Sequence, residues 1–121
     1  MAQQQCLDKD IKIRPAEGRV HVFFDDAEII SSTRALELDE EGCPLRLYIP
    51  LEDIRPDLLL DSDTKTTCPY KGEANYFNLR SATATAEDAA WYYPEPCPLV
   101  EDIRHHVAFY GDRVRFERSE I

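Results

Sequence analysis

Arg19-Val20-His21-Val22-Phe23-Phe24-Asp25-Asp26-Ala27-Glu28-Ile29-Ile30 is the stretch that decides the fold. Val20, Val22 and Phe24 fall on one face of an extended chain, by the two-residue period of a strand. Asp25-Asp26 then reads as a tight turn, because aspartate tolerates left-handed backbone better than most residues. Glu28-Ile29-Ile30 is the returning strand. The chain on the C-terminal side repeats the pattern. Ala35-Leu36-Glu37-Leu38 is a short strand closed by Asp39-Glu40-Glu41-Gly42, and Leu45-Arg46-Leu47-Tyr48-Ile49 follows, ended by Pro50. Glu73 to Leu79 alternates as a strand, and Ala89 to Tyr93 reads as another, stopped by Pro94. Pro94, Pro96 and Pro98 make a stiff extended connector. Val107 to Tyr110 turns at Gly111-Asp112 and returns as Arg113 to Phe116, which predicts a closing hairpin.

Two places read as helix. Leu99 to His106 carries an apolar stripe of Leu99, Val100 and Ile103, with acids early and bases late, which suits the helix dipole. Pro50 to Leu60 has room for one helical turn, limited by Pro56. The expected class is therefore mainly β: a single compact domain of short antiparallel strands with one or two short helices. Residues 1–10 read as a loosely ordered lead-in, and 11–121 as the domain.

Composition narrows the function. The chain has 121 residues and a net charge of −10. A domain of this size buries roughly two thirds of the surface its unfolded chain exposes, so a real core is available. The acidic balance argues against nucleic acid as a partner, since that binding rests on neutralising phosphates. No apolar run approaches the ~20 residues of a membrane span. Met1-Ala2-Gln3-Gln4-Gln5 has no basic start and no apolar block, so no signal peptide is visible. The four cysteines, Cys6, Cys43, Cys68 and Cys97, contain no C-x-x-C pair. A structural zinc site, which usually draws two ligands from one tight turn, is not expected, and neither is another metal or cofactor. With no signal peptide, free thiols in a reducing cytosol are the expectation.

Thr66-Thr67-Cys68-Pro69-Tyr70-Lys71-Gly72-Glu73 carries the most chemistry. Pro69 presets its own φ and pushes Cys68 into an extended conformation. A β-turn over Cys68 to Lys71 holds its first and fourth α-carbons within ~7 Å. That turn can bring the Lys71 ammonium near the Cys68 sulfur and favour the thiolate. The plainer reading is a packed cysteine and a solvated lysine. Tyr48, Tyr70, Tyr76, Trp91, Tyr92, Tyr93 and Tyr110 give many amphipathic rings for so small a domain, some of them set to line a ligand groove. Arg34 has the planar fork that suits a carboxylate or phosphate, or a structural ion pair. Glu101 and Asp102 stand four residues before His105 and His106, and helix-end charge complementarity accounts for them. Asp61-Ser62-Asp63 sits in a turn-like context where side chains cap their own backbone.

Cys68-Pro69-Tyr70-Lys71-Gly72-Glu73-Ala74, with Tyr76 after it, resembles the signature of the domain of unknown function 427 family. Ser32-Thr33-Arg34-Ala35-Leu36, Pro44 to Pro50, Ala89 to Pro96 and Val107 to Tyr110 resemble its other blocks, in order, so the resemblance covers about residues 19–118. It implies a small β-rich fold of the tent type, shared with type B methionine sulfoxide reductases and several zinc-binding domains. Those relatives use paired C-x-x-C ligands that this chain lacks, and fold alone does not transfer an activity. Asp26 stands where the family often has a hairpin glycine. A nucleotidyltransferase-like label used for the family would need carboxylates converging on magnesium and a Gly-rich turn. The chain offers one Asp-x-Asp, at Asp61 and Asp63, and no such turn.

The expected function is binding of a small polar or anionic ligand in an aromatic-lined pocket near the Cys-Pro-Tyr-Lys-Gly turn. Its walls are Arg34, Tyr48, Cys68, Tyr70, Lys71, Tyr76 and Trp91, with Lys71 and Arg34 fixing the ligand. The alternatives are a thiol enzyme using Cys68 activated by Lys71, and an acidic protein-interaction module. A cytoplasmic location is expected. A homodimer through strand edges is one way for a small open sheet to cover them.

Overall fold

Asp25 and Asp26 both adopt left-handed backbone, with φ of 52° and 63°. A type I′ hairpin requires this of its two central residues, and the first strand pair forms around it as the sequence predicts. The computed structural model describes residues 6–120. In chain order the strands are β1 (Ile11–Pro15), β2 (Arg19–Phe24), β3 (Ala27–Ser32), β4 (Leu36–Glu40), β5 (Arg46–Pro50), β6 (Leu59–Cys68), β7 (Gly72–Arg80), β8 (Thr85–Tyr92), β9 (His106–Phe109) and β10 (Arg115–Ser119). They form two antiparallel sheets, one ordered β1-β4-β5-β9-β8-β7-β6 and the other β10-β2-β3. The class is mainly β, as expected. No helix among the described residues is long and apolar enough to cross a membrane.

The two-residue period gives the large sheet two apolar faces. Ile49, Leu79, Ala90, Val107 and Phe109 point toward Val20, Val22 and Ile30 of the small sheet and make the main core. Alternate residues on the same strands, Tyr48, Ala74, Trp91 and Ala108, point the other way and make a second cluster with Leu38 of β4, Val100 and Ile103. Fully burying one such aliphatic side chain contributes about 1.5–3 kcal/mol. Polar links tie the sheets together. Arg118 of β10 donates to Glu37 of β4 at 2.6 Å, and Arg14 of β1 donates to the same carboxylate at 2.7 Å. The Arg118 hydrogen bond, and then that of Arg14, hold Glu37 below the usual carboxylate range against the opposing effect of burial. Across the small sheet, the His21 ring bridges Glu28 of β3 and Ser119 of β10.

Several expectations are corrected. Leu99 to His106 is not an α-helix: a 3₁₀ helix kinked at Val100 spans Pro98–Ile103, and β9 already begins at His106. The left-handed φ of 65° at His105 ends the turn and starts the strand. Glu101 therefore pairs with Arg104, at 2.5 and 3.0 Å, and not with a histidine. Two further 3₁₀ turns, Leu51–Asp53 and Pro56–Leu58, fill the segment around Pro56. The C-terminal hairpin does not form either. β9 pairs with β5 and β8, whereas β10 pairs with β2 in the other sheet. Asp61-Ser62-Asp63 lies in an irregular stretch of β6 and not in a turn: the register to β7 shifts between Asp61 and Lys65, and the expected local cap is present as Thr64 N–H donating to Ser62 Oγ at 3.1 Å. Ser62 and Thr64 both donate to the Asp88 carboxylate across the sheet, which holds that acid below its ordinary value.

The four cysteines are not all free thiols. Cys6 and Cys97 form a disulfide with their α-carbons 5.8 Å apart. Their separation of 91 residues hides the pairing from any local reading. Of the expected loose lead-in, residues 1–5 lie outside the described residues. Residues 6–10 are anchored by the disulfide, by Leu7 N–H donating to Pro69 O at 2.8 Å, and by Lys9 donating to Glu40 at 2.9 Å.

Candidate functional site

The second apolar face of the large sheet carries an open cavity of about 240 Å³. Its origin is a row of side chains that register fixes. Tyr48 of β5 stands opposite Ala108 of β9, Ala108 opposite Trp91 of β8, and Trp91 opposite Tyr76 of β7. Ala108, fully buried, has no side chain beyond its β-carbon, so the rings of Tyr48 and Trp91 close over it edge to face at 6.4 Å. Trp91 also packs on Tyr110 at 4.4 Å between centroids. Leu38, Glu40, Cys43, Arg46, Lys71 and Tyr93 complete the walls.

Charge is concentrated at this cavity. Lys71 and Glu40 are 8% and 7% exposed and form an ion pair at its floor. Lys9 donates to the other oxygen of the same carboxylate. Burial alone would raise the Glu40 pKa, but the hydrogen bonds from Lys71 and Lys9 outweigh it and hold the group below its ordinary value. Arg46 stacks on the faces of Trp91 and Tyr110, at 5.3 and 5.7 Å, with no carboxylate ion pair among the described residues. Two lysines, Lys71 and Lys9, thus share the Glu40 carboxylate, and Arg46 adds a third cation beside them in a protein whose net charge is −10.

The phenols stay neutral. Burial pushes Tyr48 well above the usual tyrosine value, although the Trp91 indole N–H donates to its oxygen. Burial does the same to Tyr93. Tyr110 is pushed up to about 12, by burial first and then by its hydrogen bond with Tyr76. Tyr76 bridges Thr66 at 3.0 Å and Tyr110 at 3.5 Å. The cavity therefore combines one positive fork, flat ring faces and neutral hydroxyls that donate or accept.

Besides Tyr93 and Tyr110 of the aromatic set, four of the seven residues expected to wall the pocket, Tyr48, Lys71, Tyr76 and Trp91, line this cavity. The other three do not. Cys68, half-buried at the end of β6, packs against the same aromatic cluster from outside the cavity wall. The Tyr70 ring lies under the Lys9 ammonium, 4.9 Å from its centroid. Arg34 is held elsewhere, by Glu52 at 2.6 Å and Asp53 at 2.5 Å, so its ion-pair reading describes its place in the fold. Arg34→Ala is expected to leave the unfolding free energy nearly unchanged, as for other exposed pairs. Urea denaturation checks this, and Trp91 emission should not change.

Arg46 and Glu40 were missed, although the signal was present. Arg46 lies two residues before Tyr48 and Glu40 two residues after Leu38, so each shares a strand face with a buried neighbour. The turn is set by Gly72, whose φ is 120° and where a β-carbon would sit 3.1 Å from the Glu95 carbonyl. Cys97 N–H then donates to Lys71 O at 2.9 Å, so the proline connector buttresses the lysine. Among the described residues, no three His, Cys, Asp or Glu side chains converge where a metal could be held.

Fold and site together define a mainly β, two-sheet domain with a cationic, aromatic-walled cavity on one sheet face. Residues 12–120 match the family described as Domain of unknown function (DUF427), and the chain belongs to that family. No curated protein matches the sequence.

Proposed function

We propose that the domain binds a small ligand bearing a carboxylate on a flat or apolar body, seated in the Arg46–Trp91 cavity. The observation that carries this reading is the Arg46 guanidinium, which is held on two ring faces and has no carboxylate ion pair among the described residues. A stacked guanidinium keeps its N–H edge open, and that edge matches a carboxylate bidentately. Lys71 and Lys9 exceed Glu40 in charge, so the floor adds to the attraction. At about 240 Å³ the cavity is smaller than the ~300–1,000 Å³ of most drug-sized pockets, which restricts the ligand to a small metabolite. Lys71 is committed to Glu40, which lends the thiol-enzyme reading no support.

Trp91 is the only tryptophan of the chain, so its emission reports this cavity alone. Benzoate is expected to change that emission saturably, and benzamide, which lacks the charge, to do so far more weakly. Arg46→Gln should weaken benzoate about tenfold or more, the value of a charge-assisted hydrogen bond. Equal responses to the two probes, or an unchanged benzoate affinity in Arg46→Gln, would overturn the reading.

A further inference from the structure

A second cavity, also of about 240 Å³, opens on the opposite face of the large sheet at its His106 end. Its walls differ in chemistry from those of the first. Phe77 of β7 and Tyr92 of β8 stack face to face, with centroids 4.7 Å apart and planes at 17°. Val107, Pro94 and Tyr93 extend this apolar surface, and Leu51, 43% exposed, stands at the rim. None of the lining residues is an acid, a lysine or an arginine. A flat, uncharged ring is the shape and chemistry these walls match. An apolar cavity of about 150 Å³ already accepts benzene, so the volume here admits a two-ring system.

His105 and His106 supply the polar side. His106 Nδ1 lies 2.9 Å from the Arg104 carbonyl. A carbonyl only accepts, so Nδ1 carries the hydrogen and Nε2 is left as the acceptor of the neutral ring. His105 holds a φ of 65°, a conformation that non-glycine residues adopt at a cost. Its carbonyl accepts from Leu51 N–H at 2.8 Å, which keeps the rim in that shape. Strain retained beside a cavity is the kind of feature from which a binding role is inferred.

We propose that this slot is a second binding site, for an uncharged planar heteroaromatic ring whose N–H donates to His106 Nε2. The site does not depend on the Arg46 cavity. The two meet only at Tyr93, a buried ring that lines both.

Indole and 1-methylindole are the probes, titrated into the full chain and followed by amide and histidine side-chain NMR. Indole should shift Phe77, Tyr92, His106 and Val107 saturably, while the Arg46 and Tyr48 amides stay in place. 1-Methylindole, which lacks the donor, should bind about fivefold more weakly, the value of one neutral hydrogen bond. Leu51→Trp changes an exposed rim residue and should block the slot without unfolding the protein. No shifts with millimolar indole overturn the proposal, as do shifts confined to the Arg46 cavity or undiminished binding in Leu51→Trp. Equal affinities for the two probes overturn the His106 assignment and with it the ligand class.

Discussion

Cys6→Ser is expected to lower the unfolding free energy by about 4 kcal/mol. Cys6 and Cys97 are 91 residues apart, so their bond closes most of the chain into one loop. In the chain-entropy account, a cross-link around a loop of ~100 residues stabilises by about 4.7 kcal/mol, because the unfolded chain loses that freedom in advance. Cys6 is the exposed partner, so its replacement buries no new polar group, whereas Cys97 is 2% exposed and remains packed as a small hydrophobe. Urea denaturation should show a lower midpoint and a steeper slope, since an uncrosslinked chain exposes more surface. A dithiol reductant should bring the wild-type protein down to the variant and leave the variant unmoved. Coincident curves for oxidised wild type and Cys6→Ser would mean that the hydrogen bonds of residues 7–10 hold the segment without help from the cross-link.

What the sequence made legible follows the range of its signals. The β2–β3 hairpin was readable because period-two burial and the paired aspartates at 25 and 26 lie within one short stretch. The Cys68 to Gly72 turn was readable for the same reason: Pro69 and Gly72 act on their own backbone. β6 was not readable. Its Asp-Ser-Asp-Thr-Lys-Thr-Thr run has turn composition, and it is a strand because Ser62 and Thr64 find Asp88 on a distant strand. The Leu99–Ile103 stripe is truly buried at Val100 and Ile103, yet apolar spacing over so short a run does not separate an α-helix from a 3₁₀ turn. The closing hairpin failed because β9 and β10 find better partners in different sheets, which no local turn rule can weigh.

The candidate site shows the same division. Tyr48, Tyr76 and Trp91 announce themselves as aromatic residues on strands, and register then brings them into one row. Glu40 and Arg46 look like ordinary charges of a solvated face. Only the pairing of β4 with β5, and the arrival of Lys71 from a turn 31 residues away, make them a buried charge network and a stacked guanidinium. Arg34 follows its ion-pair reading, with carboxylate partners in the Leu51–Asp53 turn that no local rule places beside it.

The network at the cavity floor should respond in a way that packing alone cannot imitate. Lys71→Met removes the closer of two cations from a carboxylate that is only 7% exposed. Leaving one member of a buried pair costs about 3–5 kcal/mol, and with Lys9 still in place the lower end, about 3 kcal/mol, is expected near pH 7. In the wild-type protein the Glu40 pKa is depressed. Its contribution is therefore present above the unfolded value of about 4.3 and is lost as pH falls through the folded value. In Lys71→Met, burial should dominate and raise that pKa. A raised carboxylate pKa is a penalty above the folded value that vanishes below the unfolded one, so the deficit of the variant should shrink between neutral pH and about 4. Adding Glu40→Gln to Lys71→Met removes the stranded charge and should recover all but about 1 kcal/mol of the deficit, the non-additivity expected of contacting residues. A deficit that ignores both pH and the second substitution would reduce Lys71 to a packing residue. The double variant removes the Lys71 and Glu40 charges together and leaves Lys9, so the net charge of the floor is unchanged. With Arg46 also in place, its benzoate affinity should stay close to that of the wild type, and a large loss would mean that Lys71 itself contacts the ligand.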